Sequence, residues 1–178
     1  MRWLTAARFA ALLTVSATVA APLAQAADPC DGFSWNVSRE RALFAGSATE
    51  LTAGADTASA PLLAPERLYT LQLRPLSQVT FVTAPGKKGG SDGGYAGVAA
   101  LVITQPGSYR IALDVPLWVD VVADGGLMAN KGFQGASGCS APHKIVEFEF
   151  PVARQVMLQF SGTTATSVRI GITASAGR

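Results

Sequence analysis

Apolar residues recur at every second position in five stretches of the chain. Tyr69, Leu71 and Leu73 alternate with Thr70, Gln72 and Arg74, and Tyr109, Ile111 and Leu113 with Arg110, Ala112 and Asp114. The same rhythm places Val146, Phe148 and Phe150 against Glu147, Glu149 and Pro151. It recurs as Val156, Leu158 and Phe160 against Met157, Gln159 and Ser161, and as Val168, Ile170 and Ile172 against Arg169, Gly171 and Thr173. A period of two is that of a strand with one face buried and one in solvent, the habit of antiparallel sheet. Residues 97–104 and 117–122 are apolar on both faces and predict more deeply buried strands. Residues 79–83 form a short β-branched and aromatic run, and 33–37 and 41–45 read as two early strands. Nine or ten strands are predicted, and no segment after residue 26 sustains a helical period.

The residues between these runs support the same reading. Gln105-Pro106-Gly107-Ser108 suits a type II turn, with proline and then glycine at its centre. It predicts a hairpin between 97–104 and 108–114. Pro75, Pro116 and Pro151 fall at strand boundaries, where a missing N–H is tolerated. Many short strands in one domain predict an all-β fold, an antiparallel β-sandwich of jelly-roll-like or similar kind. Residues 85–94 hold five glycines and predict a mobile loop. Residues 124–143 read as a long loop, and 46–66 show little pattern.

The N-terminus follows a different rule. A short basic stretch ending at Arg8 leads into the apolar run 9–21, which is too short to span a bilayer. Ala24-Gln25-Ala26 then places small residues at −3 and −1 of a cut after Ala26. Residues 1–26 therefore predict a cleaved signal peptide, and 27–178 a single soluble domain in the periplasm or outside the cell. Pro29 directly before Cys30 does not suit lipoprotein processing. No later segment has the length of apolar residues that a spanning helix needs. The whole chain of 178 residues carries a formal charge of +2, and cutting after Ala26 removes two basic residues and no acidic one. The remaining balanced charge argues against a nucleic-acid partner, which needs clustered Lys and Arg. Cys30 and Cys139, the two cysteines, predict a disulfide in an oxidising compartment.

Candidate chemistry is sparse. His143 is the single histidine, too few for a zinc or non-haem iron site and the only one available to a hydrolytic triad. No Gly-x-Ser-x-Gly elbow occurs. Lys87-Lys88 precede their glycines, which is the reverse of a phosphate loop, and 91–94 lacks the carboxylates of a calcium loop. No cofactor is implied. Glu147 and Glu149 share one strand face that the pattern makes solvent-exposed. The aromatics are a better lead: Trp35 and Trp118 in predicted strands, with Tyr95 and Phe133 in loops, could stack on a ligand. If a ligand site exists, the loop 124–143 would carry it, tethered through Cys139 near Trp35. Asn130, Lys131, Gln134 and His143 would supply polar groups there, and Phe133 a stacking surface.

Cys30-Asp31-Gly32-Phe33-Ser34-Trp35, followed by Arg41-Ala42-Leu43-Phe44, resembles the start of a family of small uncharacterised exported proteobacterial proteins. The segment 107–111, with a two-sided central strand and a closing apolar strand, is similar in rhythm to pre-peptidase C-terminal β-sandwich domains. The first resemblance implies export and no assigned activity, and the second implies fold alone. Neither carries over a catalytic residue. The expectation is a non-catalytic binding or accessory module of the cell envelope, with an envelope polymer, a small ligand or a periplasmic protein as partner. The alternative is a hydrolase or lyase acting on a polymer through carboxylates alone, drawn from Asp114, Asp120, Asp124, Glu147 and Glu149. A pair of these about 5–10 Å apart in a cleft would favour the enzyme.

Overall fold

The computed structural model describes residues 28–87 and 94–175. The proposed leader 1–26 lies outside the described residues, as do positions 88–93 of the glycine loop. The described chain is mostly strand, with one α-helix and two sheets. The first sheet runs in the order β1 (Thr49–Thr52), β3 (Arg67–Gln72), β12 (Ser167–Ala174), β6 (Gly107–Leu113), β10 (Lys144–Phe150), β9 (Gly132–Gly135). The second runs β2 (Leu62–Leu63), β5 (Tyr95–Ile103), β11 (Arg154–Thr163), β7 (Trp118–Ala123), β8 (Gly126–Leu127), and β4 (Arg74–Pro75) also pairs with β5. Among the described residues no helix is long and apolar enough to cross a membrane.

The alternation read from the sequence has its physical counterpart in one core between the sheets. Leu71, Ile111, Phe148, Phe150, Ile170 and Ile172 of the first sheet meet Leu101, Ile103, Val121, Leu158 and Phe160 of the second, all fully buried or nearly so. Each such side chain contributes about 1.5–3 kcal/mol by leaving water. The face-to-face packing is consistent with an all-β sandwich. The pairing is mixed rather than wholly antiparallel, because β1 with β3 and β2 with β5 are parallel. Both exceptions lie in the weakly patterned stretch 46–66, where short strands return to a sheet edge through loops. Nor does 105–108 close a hairpin. Gly107 has φ +148°, and the turn carries the chain from β5 in one sheet to β6 in the other.

The other corrections concern segments whose neighbours decide their form. Residues 41–45 belong mostly to a helix, α1 (Ser38–Phe44), and 33–37 is irregular. At seven residues α1 is too short to be stable alone, and tertiary packing holds it. Phe44 and Val37 cover Leu68, Ala112 and Ile145 on the outer face of the first sheet. Gly171 makes this close seat possible, since a Cβ there would lie 3.0 Å from Leu43 Cδ2 and from Phe44 Cε2. Arg169 donates from Nη2 to the Phe44 carbonyl at 2.7 Å, at the negative end of the helix. The face expected in solvent is thus partly roofed by α1.

Residues 79–83 form no strand. The segment crosses the outer face of the second sheet, where Gln159 Nε2 donates to the Thr83 carbonyl at 3.2 Å. Within 124–143 the long loop holds the two short strands β8 and β9, and Cys139 is bonded to Cys30, with Cα atoms 4.9 Å apart.

Candidate functional site

The strand β9 separates the residues that the sequence groups into one site. Phe133 is the cross-strand neighbour of Val146, whose side chain lies in the inter-sheet core, and Gln134 is the neighbour of Ile145, which packs under α1 on the outside. Cross-strand neighbours share a face. Gln134 therefore points outward, where its Oε1 accepts the backbone N–H of Ser34 at 2.8 Å and of Trp35 at 3.0 Å. The Trp35 ring is half-buried, with the Arg110 guanidinium 4.7 Å from its centroid. Lys131, also on this side, donates to Ser108 Oγ at 2.8 Å and pairs with Glu149 at 2.9 Å. Asn130 is exposed. These residues anchor the N-terminal segment and an ionic lattice on the outer face, whereas Phe133 and His143 line a cleft elsewhere.

That cleft, of about 370 Å³, lies where β7 and β10 begin and β11 ends. Phe133, His143 and Lys144 line it from the first sheet's side. Trp118, Ser161 and Gly162 line it from the second, Pro116 and Leu117 from the β6–β7 connection, and Lys87 from the loop above. Trp118 is fixed by a buried aspartate. Asp120, two residues along the same strand and on the same face, accepts the indole N–H at 2.7 Å. Its other oxygen accepts Gly86 N–H at 3.1 Å and Gln159 Nε2–H at 3.3 Å. A Cβ at Gly86 would sit 2.9 Å from Asp120 Oδ1, so glycine alone lets the loop backbone reach the carboxylate. Lys144, the first residue of β10, carries its ammonium 5.0 Å from the Trp118 centroid and 5.8 Å from that of Phe133. Burial first, and the charge of Lys87 second, push the Lys144 pKa below its ordinary 10.5. Tyr95, the remaining aromatic candidate, begins β5 and packs against the core.

The carboxylates proposed for catalysis are dispersed over the fold and engaged. Asp114 is half-buried and accepts Arg169 N–H at 2.8 Å; burial raises its pKa above the ordinary range. Asp120 lies under the 79–87 segment as described. Asp124 is exposed and pairs with Arg154 at 2.6 Å. Glu147 and Glu149 do share the outer face, but Glu147 is mostly buried and pairs with Arg110 at 2.9 Å, which corrects the solvent-exposed reading. Glu149 accepts from Ser108 and Lys131, which hold its pKa low. None of these five lines the cleft.

Sequence reading missed Lys144, which precedes the alternating run of β10. It also passed over the clue in 117–122: an aspartate inside an apolar strand must be hydrogen-bonded once buried, and Trp118 is its nearest same-face neighbour. Glu40 of α1 was missed as well. It is buried and accepts from Thr173 Oγ1 at 2.8 Å, with Arg110 3.6 Å away. No protein-family model matches the chain, and no curated protein matches it.

Proposed function

We propose that this chain is an exported, non-catalytic binding or accessory module of the cell envelope, and that its ligand sits in the Trp118–Phe133–Lys144 cleft. The observation that carries this reading is the cleft itself. Two aromatic rings from opposite sheets meet there beside two lysines and a histidine, and no acidic residue lines it. Its volume falls within the roughly 300–1,000 Å³ of small-ligand sites. The carboxylate alternative has no comparable support, since Glu147, Glu149 and Asp124 each face a cation and none of the five proposed acids lines the cleft.

Export to the periplasm or beyond rests on the basic, apolar and small-residue order of 1–26, with 27–178 as one mature sandwich domain. The bonded Cys30–Cys139 pair suits such a compartment. Kinship with the exported proteobacterial proteins, and with pre-peptidase C-terminal or jelly-roll sandwiches, rests on the residues that carry those resemblances. The test of function is a thermal-shift screen of envelope polymers and small ligands on wild type, Trp118→Ala and Phe133→Ala. A ligand that stabilises the wild type and loses its effect in both variants supports the reading. One that stabilises all three equally places the site elsewhere and refutes it.

A further inference from the structure

The cations among the described residues differ in their partners. Arg39, Arg41, Arg110, Lys131 and Arg154 each pair with a carboxylate within 4 Å. Arg67, Arg74, Arg169, Lys87 and Lys144 form no such pair among the described residues; Arg74 and Arg169 donate their guanidinium groups to backbone carbonyls, Arg67 and Lys87 are exposed, and Lys144 is half-buried. The Lys144 ammonium has three donors, and its hydrogen bond in the structure goes to the Leu117 carbonyl at 3.2 Å. The carboxylate nearest in chemistry, Asp120, is committed to the Trp118 indole, the Gly86 amide and Gln159. Lys87 stands 5.7 Å from the same Trp118 ring, so two like charges share one aromatic neighbour. A half-buried, unpaired cation next to another cation is costly. An anion in the cleft would relieve both the desolvation and the repulsion.

The rest of the lining narrows the class of anion. A small inorganic ion would engage the ammonium groups and leave the rings unused. Phe133 is 64% exposed, an aromatic surface in water at the rim of the cleft, and Trp118 offers a second ring held in fixed orientation. Rings of this kind accept the CH-rich face of a sugar, while Ser161 and His143 can hydrogen-bond its hydroxyls. The exposed rim leaves room for a chain to continue beyond the residue that is bound. We infer, resting on the binding reading above, that the cleft takes an acidic saccharide, with a sugar ring against the aromatics and its carboxylate on Lys144.

Titration calorimetry on the full protein tests this with acidic oligosaccharides: trigalacturonate, a mannuronate trimer, a hyaluronan tetramer and a muramate-containing disaccharide. Each is paired with its carboxyl-reduced, neutral counterpart. At least one acid form should bind at least tenfold more tightly than its neutral partner and weaken several-fold between 50 and 500 mM NaCl. Lys144→Met should lose at least tenfold in affinity, and Lys144→Arg, which keeps the charge, should stay within about threefold. Circular dichroism confirms that each variant is folded, and Lys87→Met provides a second loss of charge that leaves β10 intact. Binding of the neutral forms as tightly as the acids overturns the inference while leaving the cleft as the site. Inorganic phosphate that competes with the acid as strongly as another oligosaccharide does overturns the saccharide class. Failure of every acid in the panel overturns the inference outright. A screening ligand unaffected by Trp118→Ala and Phe133→Ala fails the underlying reading instead.

Discussion

Replacing Asp120 by alanine removes the acceptor on which one wall of the cleft is built. Three donors converge on its carboxylate: the Trp118 indole at 2.7 Å, Gly86 N–H at 3.1 Å and Gln159 Nε2 at 3.3 Å. Hydrogen bonds to a charged group contribute roughly 1.5–3 kcal/mol each, and a buried donor left unpaired costs about 1–3. The three losses are unequal. Gln159 keeps the Thr83 carbonyl at 3.2 Å and loses little. Trp118 is half-buried, and its N–H can turn partly to water, for about 1 kcal/mol. The Gly86 amide loses its side-chain acceptor and the 79–87 segment loosens, for about another 1–2. Alanine no longer requires a carboxylate to be desolvated, which offsets part of the sum. Asp120→Ala should therefore cost about 2 kcal/mol, and Asp120→Asn, which keeps an acceptor, about half as much. Equilibrium urea unfolding followed by circular dichroism reads this directly. With a slope of about 2 kcal/mol per molar, the alanine variant's midpoint falls by about 1 M. A loss below about 0.5 kcal/mol, the level of an ordinary surface change, would refute the claim that Asp120 organises this wall.

The remaining predictions address other parts of the fold. Burial raises the Asp114 pKa in the folded state, so its contribution is fully present below the unfolded value of about 3.8 and is lost as pH rises through the folded pKa. Asp114→Asn, which can still accept Arg169 N–H, should be at least as stable as wild type at pH 7, with the difference vanishing below pH 3.8; thermal melts across pH check this, and a pH-independent difference would contradict it. Converting Cys30 and Cys139 to serine opens a cross-link between residues separated by 109 positions and should cost about 5 kcal/mol in the chain-entropy account. Non-reducing urea unfolding measures it, and a loss under 1 kcal/mol would argue against that account here. Gly171→Val puts a Cβ within 3.0 Å of Leu43 and Phe44 and should cost about 1–3 kcal/mol by lifting α1; an unchanged midpoint would show that the helix seat is not close-packed.

What the sequence made legible was whatever one strand decides by itself. Val146, Phe148 and Phe150 must face a core whichever strand lies beside them, so alternation located β10, and the same holds for β3, β6, β11 and β12. Pairing and connection were not legible in this way. Pro106-Gly107 marks a turn but does not say whether the chain stays in its sheet, and here it leaves. Residues 41–45 suit a strand as well as a helix, since Leu43 and Phe44 are compatible with either form, and Gly171, more than a hundred residues later, provides the close seat for helical packing. The candidate site was partly legible. Phe133 and His143 do line the cleft, while Trp35, Gln134 and Lys131 lie on the outer face. A one-residue step along β9 reverses the face, and a loop without a recognised strand gives no means of counting that step.

The position of β12 has a consequence for how the molecule comes into being. β12, the last strand among the described residues, lies in the interior of its sheet, hydrogen-bonded to β3 on one side and β6 on the other, and α1 is seated on its Gly171. Until residues 167–174 are available, β3 has no neighbour joining it to β6, Glu40 has no Thr173 to bond, and the helix lacks its seat on Gly171. The β1–β3 edge therefore joins β6 only once residues 167–174 have arrived, and pairing over so long a separation is slow. The fold thus carries its own delay: the strand that joins β3 to β6 follows both of them in the chain.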